Sequence, residues 1–199
     1  MKTFLHVGCG ANRKDKTTAS FAGPAWRELR LDIDPGVDPD IVGTMTNMNA
    51  LADESVDAIF SSHNIEHLYP HETPMALAEF LRVMKADGFA VITCPDLQSV
   101  AALVVEDKLT DIAYVSAAGP IAPLDVLYGF RPQLAAGNLF MAHHCGFTEK
   151  ALNAALVSAG FKSVVSLRRA AAFDLWAIAS KSALPQADLR VLAGEHFPS

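Results

Sequence analysis

Two sets of residues have the types and spacing to do chemistry. The first opens the chain. In "FLHVGCGAN" (residues 4–12) an apolar run enters a turn holding Gly8 and Gly10. Glycine there lets backbone N–H groups approach a ligand with no Cβ in the way. Asp32 lies 22 residues beyond Gly10, at the end of "LRLDID". At that position an acidic side chain accepts both hydroxyls of a ribose. The competing reading makes the glycines a tight turn and Asp32 a turn residue, a task Asp34 and Pro35 already fill. The second set is histidines: His63, His67, His71, His143 and His144. An imidazole suits proton removal near neutral pH. His143 is the preferred base or acceptor-positioning residue, against a plain turn histidine before "GF"; Tyr128 is a further residue that could orient a substrate.

Metal chemistry finds less support in the sequence. "HNIEHLYPH" spaces His63, His67 and His71 four apart, as on a helix face, but Pro70 interrupts that face. Glu66 is not placed as a zinc protease requires. Even with His143, His144 and Cys145 added, no metal site is expected. "DIDPGVDPD" has calcium-loop composition without the glycine and glutamate such a loop needs, and reads as a turn.

The elements that must position these residues follow from pattern. "TFLHVG", "LRLDID", "DIVG", "VDAIFSS" and "FAVITCP" read as strands, short and apolar with Gly, Pro or Asp stops. "ETPMALAEFLRVMKADG" reads as a helix with Leu77, Phe80, Leu81 and Met84 on one face, closed by Gly88. Strand, crossover, strand means an α/β domain with a parallel sheet. "FTEKALNAALVSAGF" is a helix capped by Thr148 and ended by Gly160. "KSVVSLRR" and "FDLWAIAS" follow with too few residues between them for a crossover, so they must pair antiparallel. Between Asp96 and Ala142 the pattern is weaker. "SVAALVVED" and "TDIAYVSAAG" read as short helices, and residues 97–145 as a substrate-side cap within one domain spanning 1–199.

Bulk properties exclude several classes. A net charge of −6 argues against a large nucleic-acid face; the basic run Arg13–Lys16 reads as a solvated loop. Three cysteines, an odd number, make no disulfide framework and point to a reducing cytoplasm. No stretch reads as a signal peptide or a membrane span. The apolar stretch "SALPQADLRVLAG" could cover a sheet edge or a second subunit, which leaves a homodimer open.

"LHVGCGAN", "LRLDIDP", "SVDAIFSSHNIEHL" and "EFLRVMKADGFAVITCPD" together resemble the class I S-adenosylmethionine-dependent methyltransferases. The small bacterial branch with "GCG" in the first turn and "EHL" after the fourth strand is most similar. The resemblance covers residues 4–96 and resumes at "HHCGFTEKALNAALVSAGF". It implies a Rossmann-like, mostly parallel seven-stranded sheet with helices on both faces and a C-terminal antiparallel strand pair. It also implies S-adenosylmethionine as cofactor, with Gly8, Cys9 and Gly10 under its amino-acid end. Asp32 would hold the ribose, Ile33 flank the adenine, Thr44 and Met45 contact it, and His63 touch the methionine moiety. The sequence departs from the pattern at Asn12 and Thr44, where glycine and an acidic residue are common. Its first helix region is polar and contains Gly23-Pro24. The implied reaction is methyl transfer to an oxygen or nitrogen of a small molecule or glycan. The alternatives are a non-catalytic cofactor-binding subunit and, further off, an NAD-dependent oxidoreductase.

Overall fold

The computed structural model describes residues 1–198. Strand β1 (Lys2–Val7) leads through a 3-10 turn and a four-residue helix α1 (Ala19–Ala22) to β2 (Trp26–Asp32). Then come β3 (Ile41–Val42), β4 (Val56–Ser62), α2 (Thr73–Val83) and β5 (Met84–Pro95). Beyond β5 lie α3 (Leu97–Val105), β6 (Tyr114–Ser116), β7 (Gly119–Ile121), α4 (Pro123–Tyr128) and α5 (Arg131–Ala135). The chain closes with α6 (Glu149–Ala159), β8 (Ser163–Arg169), β9 (Asp174–Ser180) and α7 (Gln186–His196).

Seven strands form one sheet in the order β3-β2-β1-β4-β5-β9-β8. The first five run parallel, and β9 is antiparallel to both β5 and β8. The antiparallel close deduced from the short β8–β9 connection is therefore present. Alternation along the strands feeds two cores. Leu5, Val7, Ile59, Ala90 and Ile92 meet Leu77 and Phe80 of α2 and Leu152 and Leu156 of α6 on one face. Phe4, Ala58, Phe60, Phe89, Val91 and Ile178 gather around Phe21 on the other.

Two sequence expectations are corrected. The second helix ends at Val83, five residues before Gly88, because Met84 already pairs with Val56 in the sheet and is fully buried. Gly88 lies inside β5, where a Cβ would sit 3.0 Å from the Lys85 carbonyl oxygen and 3.1 Å from that of Asp57. Its smallness serves a close backbone approach, not a helix cap. "TDIAYVSAAG" is not a helix: Tyr114–Ser116 and Gly119–Ile121 form an antiparallel hairpin. The β-branched and aromatic residues there outweigh the alanines.

The first helix is short, as its composition predicts. Thr18 caps it, and Gly23 and Pro24 end it. The surface it leaves is covered by α7. His196 Nδ1 lies 2.7 Å from Thr18 Oγ1, and its ring packs 4.4 Å from Phe21 and 5.2 Å from Phe89. From the C-terminal apolar stretch, Leu192 and Ala193 pack against this core while Val191 stays exposed.

Segment 97–145 has its own small core. Val100, Ile121 and Val126 cluster with Tyr114, Leu127 and Phe130. Its root is Asp96, fully buried, which caps α3 and takes a 2.6 Å bond from Arg168 Nε.

Candidate active site

The first turn is built by backbone geometry. Gly8 and Gly10 have φ of +59° and +51°, a region that favours glycine. A Cβ on Gly8 would lie 2.0 Å from Asn64 Oδ1. Asn64 in turn donates from Nδ2 to the Val7 carbonyl at 2.7 Å, locking the turn against the loop after β4. Around Gly10 there is open space, the condition for a ligand to approach its backbone.

Asp32 ends β2, buried beside that turn. Its Oδ2 accepts the Gly10 N–H at 2.7 Å and its Oδ1 the Asp34 N–H at 2.9 Å. Each carboxylate oxygen keeps a further lone-pair site. Beneath lies Arg30, 1% exposed, whose guanidinium donates to the carbonyls of Gly10, Asn12, Val37 and Asp38. It ties the loop after β1 to the loop after β2.

A cleft of about 470 Å³ runs along the carboxyl ends of β1, β2 and β4. Gly8, Cys9, Gly10, Asp32, Ile33, Thr44, Met45 and His63 all line it. Ile33 offers an exposed apolar surface beside Asp32. Burial pushes the Cys9 thiol up to about 11, so it lines the cleft as a neutral group. The opposite wall includes Tyr69, Leu139, Phe140, Met141 and His144, with His144 stacked on Tyr69 at 4.1 Å. This volume and lining suit a small ligand. A carboxylate with free lone pairs, an open glycine turn and an exposed apolar neighbour fit an adenosyl cofactor.

The histidines divide. His63, His67 and His144 line the cleft, while His143 lies outside its lining. His143 Nδ1 donates to the Val126 carbonyl at 2.7 Å, and its ring meets that of His67 at 4.8 Å. Burial lowers its basicity more than Glu66 raises it. Glu66 sits behind the cleft wall, 1% exposed, and among the described residues neither carboxylate oxygen has a hydrogen-bond partner within ordinary geometry. Burial opposes its ionisation, but His63, His67 and His143 outweigh that and hold its pKa below the ordinary value. For His63 desolvation lowers the pKa, and Glu66, 3.5 Å from its Nδ1, raises it by more. The amides of His144 and Cys145 both donate to the Glu66 carbonyl, which brings this late segment to the β4 loop.

Arg30, Asn64 and Glu66 were not singled out as site residues from sequence. Arg30 alternates with Leu29 and Leu31 in a strand, the pattern of an outward side chain. Only the two loops folded over it bury it. Glu66 stands in "EHL", where its burial leaves no local mark.

Residues 5–92 match the family model described as "Methyltransferase domain". None of the curated proteins matches the sequence. Among solved structures, the Burkholderia thailandensis 1,6-didemethyltoxoflavin-N1-methyltransferase, bound to 1,6-didemethyltoxoflavin and S-adenosylhomocysteine, is 16% identical. It aligns over 92% of this chain and 72% of its own, with a TM-score of 0.55. A SAM-dependent methyltransferase from Archaeoglobus fulgidus is 15% identical over 90% of this chain and 86% of its own, TM-score 0.57. A possible histamine N-methyltransferase from Thermotoga maritima is 16% identical over 92% and 83%, TM-score 0.55. Residues 5–92 thus resemble a methyltransferase domain, and the sheet has the fold of these solved methyltransferases.

Proposed function

We propose that the chain binds S-adenosylmethionine across the carboxyl ends of β1 and β2 and methylates an oxygen or nitrogen of a small molecule or glycan. The observation that carries this reading is the single cleft in which the Gly8–Gly10 turn and Asp32 face residues 139–141 and His144. Asp32 takes the ribose hydroxyls on its free lone pairs, Ile33, Thr44 and Met45 flank the adenine, and Gly8, Cys9, Gly10 and His63 border the methionine end. When bound, the cofactor supplies an already activated methyl group. The residues around it then have to orient an acceptor and exclude water, which positioning alone makes worth several kcal/mol.

Segment 97–145 serves as the cap that selects the acceptor. A proton leaving an alcohol or amine acceptor goes to an imidazole of the cleft wall, His63 or His144. His143 acts from behind that wall, as a positioning residue through His67 and Glu66.

Parallel calorimetric titration with S-adenosylmethionine, S-adenosylhomocysteine and NAD tests the reading. Binding of the first two without NAD is expected; NAD binding alone overturns it. Tight cofactor binding with no transfer to any tested hydroxyl or amine acceptor would favour a non-catalytic subunit, to which the four-residue α1 and Thr44 would then belong.

A further inference from the structure

We propose that Glu66, His67 and His143 form a site for one divalent first-row transition-metal ion at the inner wall of the cleft. Among the described residues these three are a group whose ligand atoms lie within 4.8 Å of one another. Glu66 provides the first argument. Its carboxylate is buried, and among the described residues its oxygens have no hydrogen-bond partner beyond a long 3.5 Å approach of His63 Nδ1 to Oε1, a costly arrangement for a charged group unless something completes it.

The second argument is independent and concerns the imidazoles. His67 Nδ1 lies 3.0 Å from the Ala142 carbonyl, and His143 Nδ1 lies 2.7 Å from the Val126 carbonyl. A carbonyl only accepts, so both rings carry their proton on Nδ1 and present a lone pair at Nε2. This outer hydrogen bond to a backbone carbonyl is how proteins orient metal-binding histidines. Two imidazoles and one carboxylate suit zinc, manganese, iron or cobalt. Magnesium and calcium prefer oxygen donors and are poorly matched.

The proposal departs from the sequence expectation of no metal site, and the fold explains the difference. Residues Ile65–His67 form a 3-10 turn, so the helical spacing of His63, His67 and His71 has no bearing. Glu66 and His67 are adjacent, and the third donor arrives from far along the chain, held by the His144 and Cys145 amides on the Glu66 carbonyl. Three protein ligands leave positions for water or an acceptor group. His67 also lines the cleft, two strands along the sheet from Asp32.

The test uses the full-length protein, stripped with chelator and titrated separately with zinc, manganese and magnesium ions, without cofactor. One equivalent of zinc or manganese is expected, with magnesium at least 10-fold weaker. Glu66→Gln and His143→Ala should each weaken that affinity about 100-fold or more, while exposed His71→Ala leaves it unchanged. X-ray absorption of the zinc form should show two imidazole nitrogens and carboxylate oxygen. Circular dichroism and retained S-adenosylhomocysteine binding would verify that the variants fold. No stoichiometric uptake by the wild type, or equal uptake by folded His143→Ala, overturns the site. Because metal content is read without methyl transfer, its failure is separable from failure of the cofactor assignment.

Discussion

Asp32 and Gly10 are joined directly: the carboxylate that faces the cleft accepts the Gly10 N–H at 2.7 Å. The same oxygen pair therefore shapes the glycine turn and faces the cleft. Asp32→Ala is expected to weaken S-adenosylmethionine binding by on the order of 1–3 kcal/mol through lost charge-assisted bonds. Asp32→Asn should not restore it, because one backbone N–H, of Gly10 or Asp34, must then face an amide NH₂. Calorimetry on the folded variants checks both, and wild-type affinity in Asp32→Ala would remove the residue from the site.

The two glycines should respond differently to the same change. Gly8→Ala drives a Cβ into Asn64 and adds left-handed strain, so both melting temperature and cofactor affinity should fall. Gly10→Ala has room and should cost only about 1–2 kcal/mol of stability. Its methyl would project where the ligand approaches, so binding should suffer more than folding. Thermal melts and titrations on both variants separate these outcomes.

Arg30 holds four carbonyls from two loops, and among the described residues no side-chain carboxylate is bonded to its guanidinium. Arg30→Met keeps the stem but strands those acceptors, and should lower unfolding free energy by on the order of 3 kcal/mol. Arg30→Lys should rescue little, since one ammonium cannot span the fork. Urea denaturation of the three proteins is the measurement.

Buried His196 gives the protein a pH dependence of known sign. Burial depresses its folded pKa to about 4, below the ordinary 6.5. The unfolded chain therefore takes up the proton first as pH falls. Stability is complete above about 6.5 and declines down to about 4. At about 1.4 kcal/mol per pH unit the total is on the order of 3 kcal/mol. In His196→Phe that contribution to the slope between pH 6.5 and 4 should vanish. An unchanged slope in denaturation series would show that other groups govern this range.

How far these features were legible in the sequence depended on how local their causes are. The strands and the antiparallel close could be read because alternation and connection length act within a few residues. The glycine turn and Asp32 could be read because their spacing is set by one crossover. The end of α2 was misplaced because sheet pairing of Met84 with Val56, a distant contact, overrode a helical pattern that runs on through Met84. The hairpin at 114–121 was missed because its short strands pair only with each other over a remote core. Arg30, Glu66 and the meeting of His67 with His143 depend on loops folding together, and no window of sequence contains both halves.

The covering of the Phe21 face by α7 also sets an order of events. That aromatic surface is built mainly from β1, α1, β4 and β5, whereas its lid, α7, is made after all of them. The early half must therefore wait with Phe4, Phe21 and Phe89 open to solvent or to chaperones until residues 186–197 arrive. A chain stopped at residue 181 is expected to bind a hydrophobic dye and aggregate where the longer chain does not. Covering of the β1 face thus waits for α7.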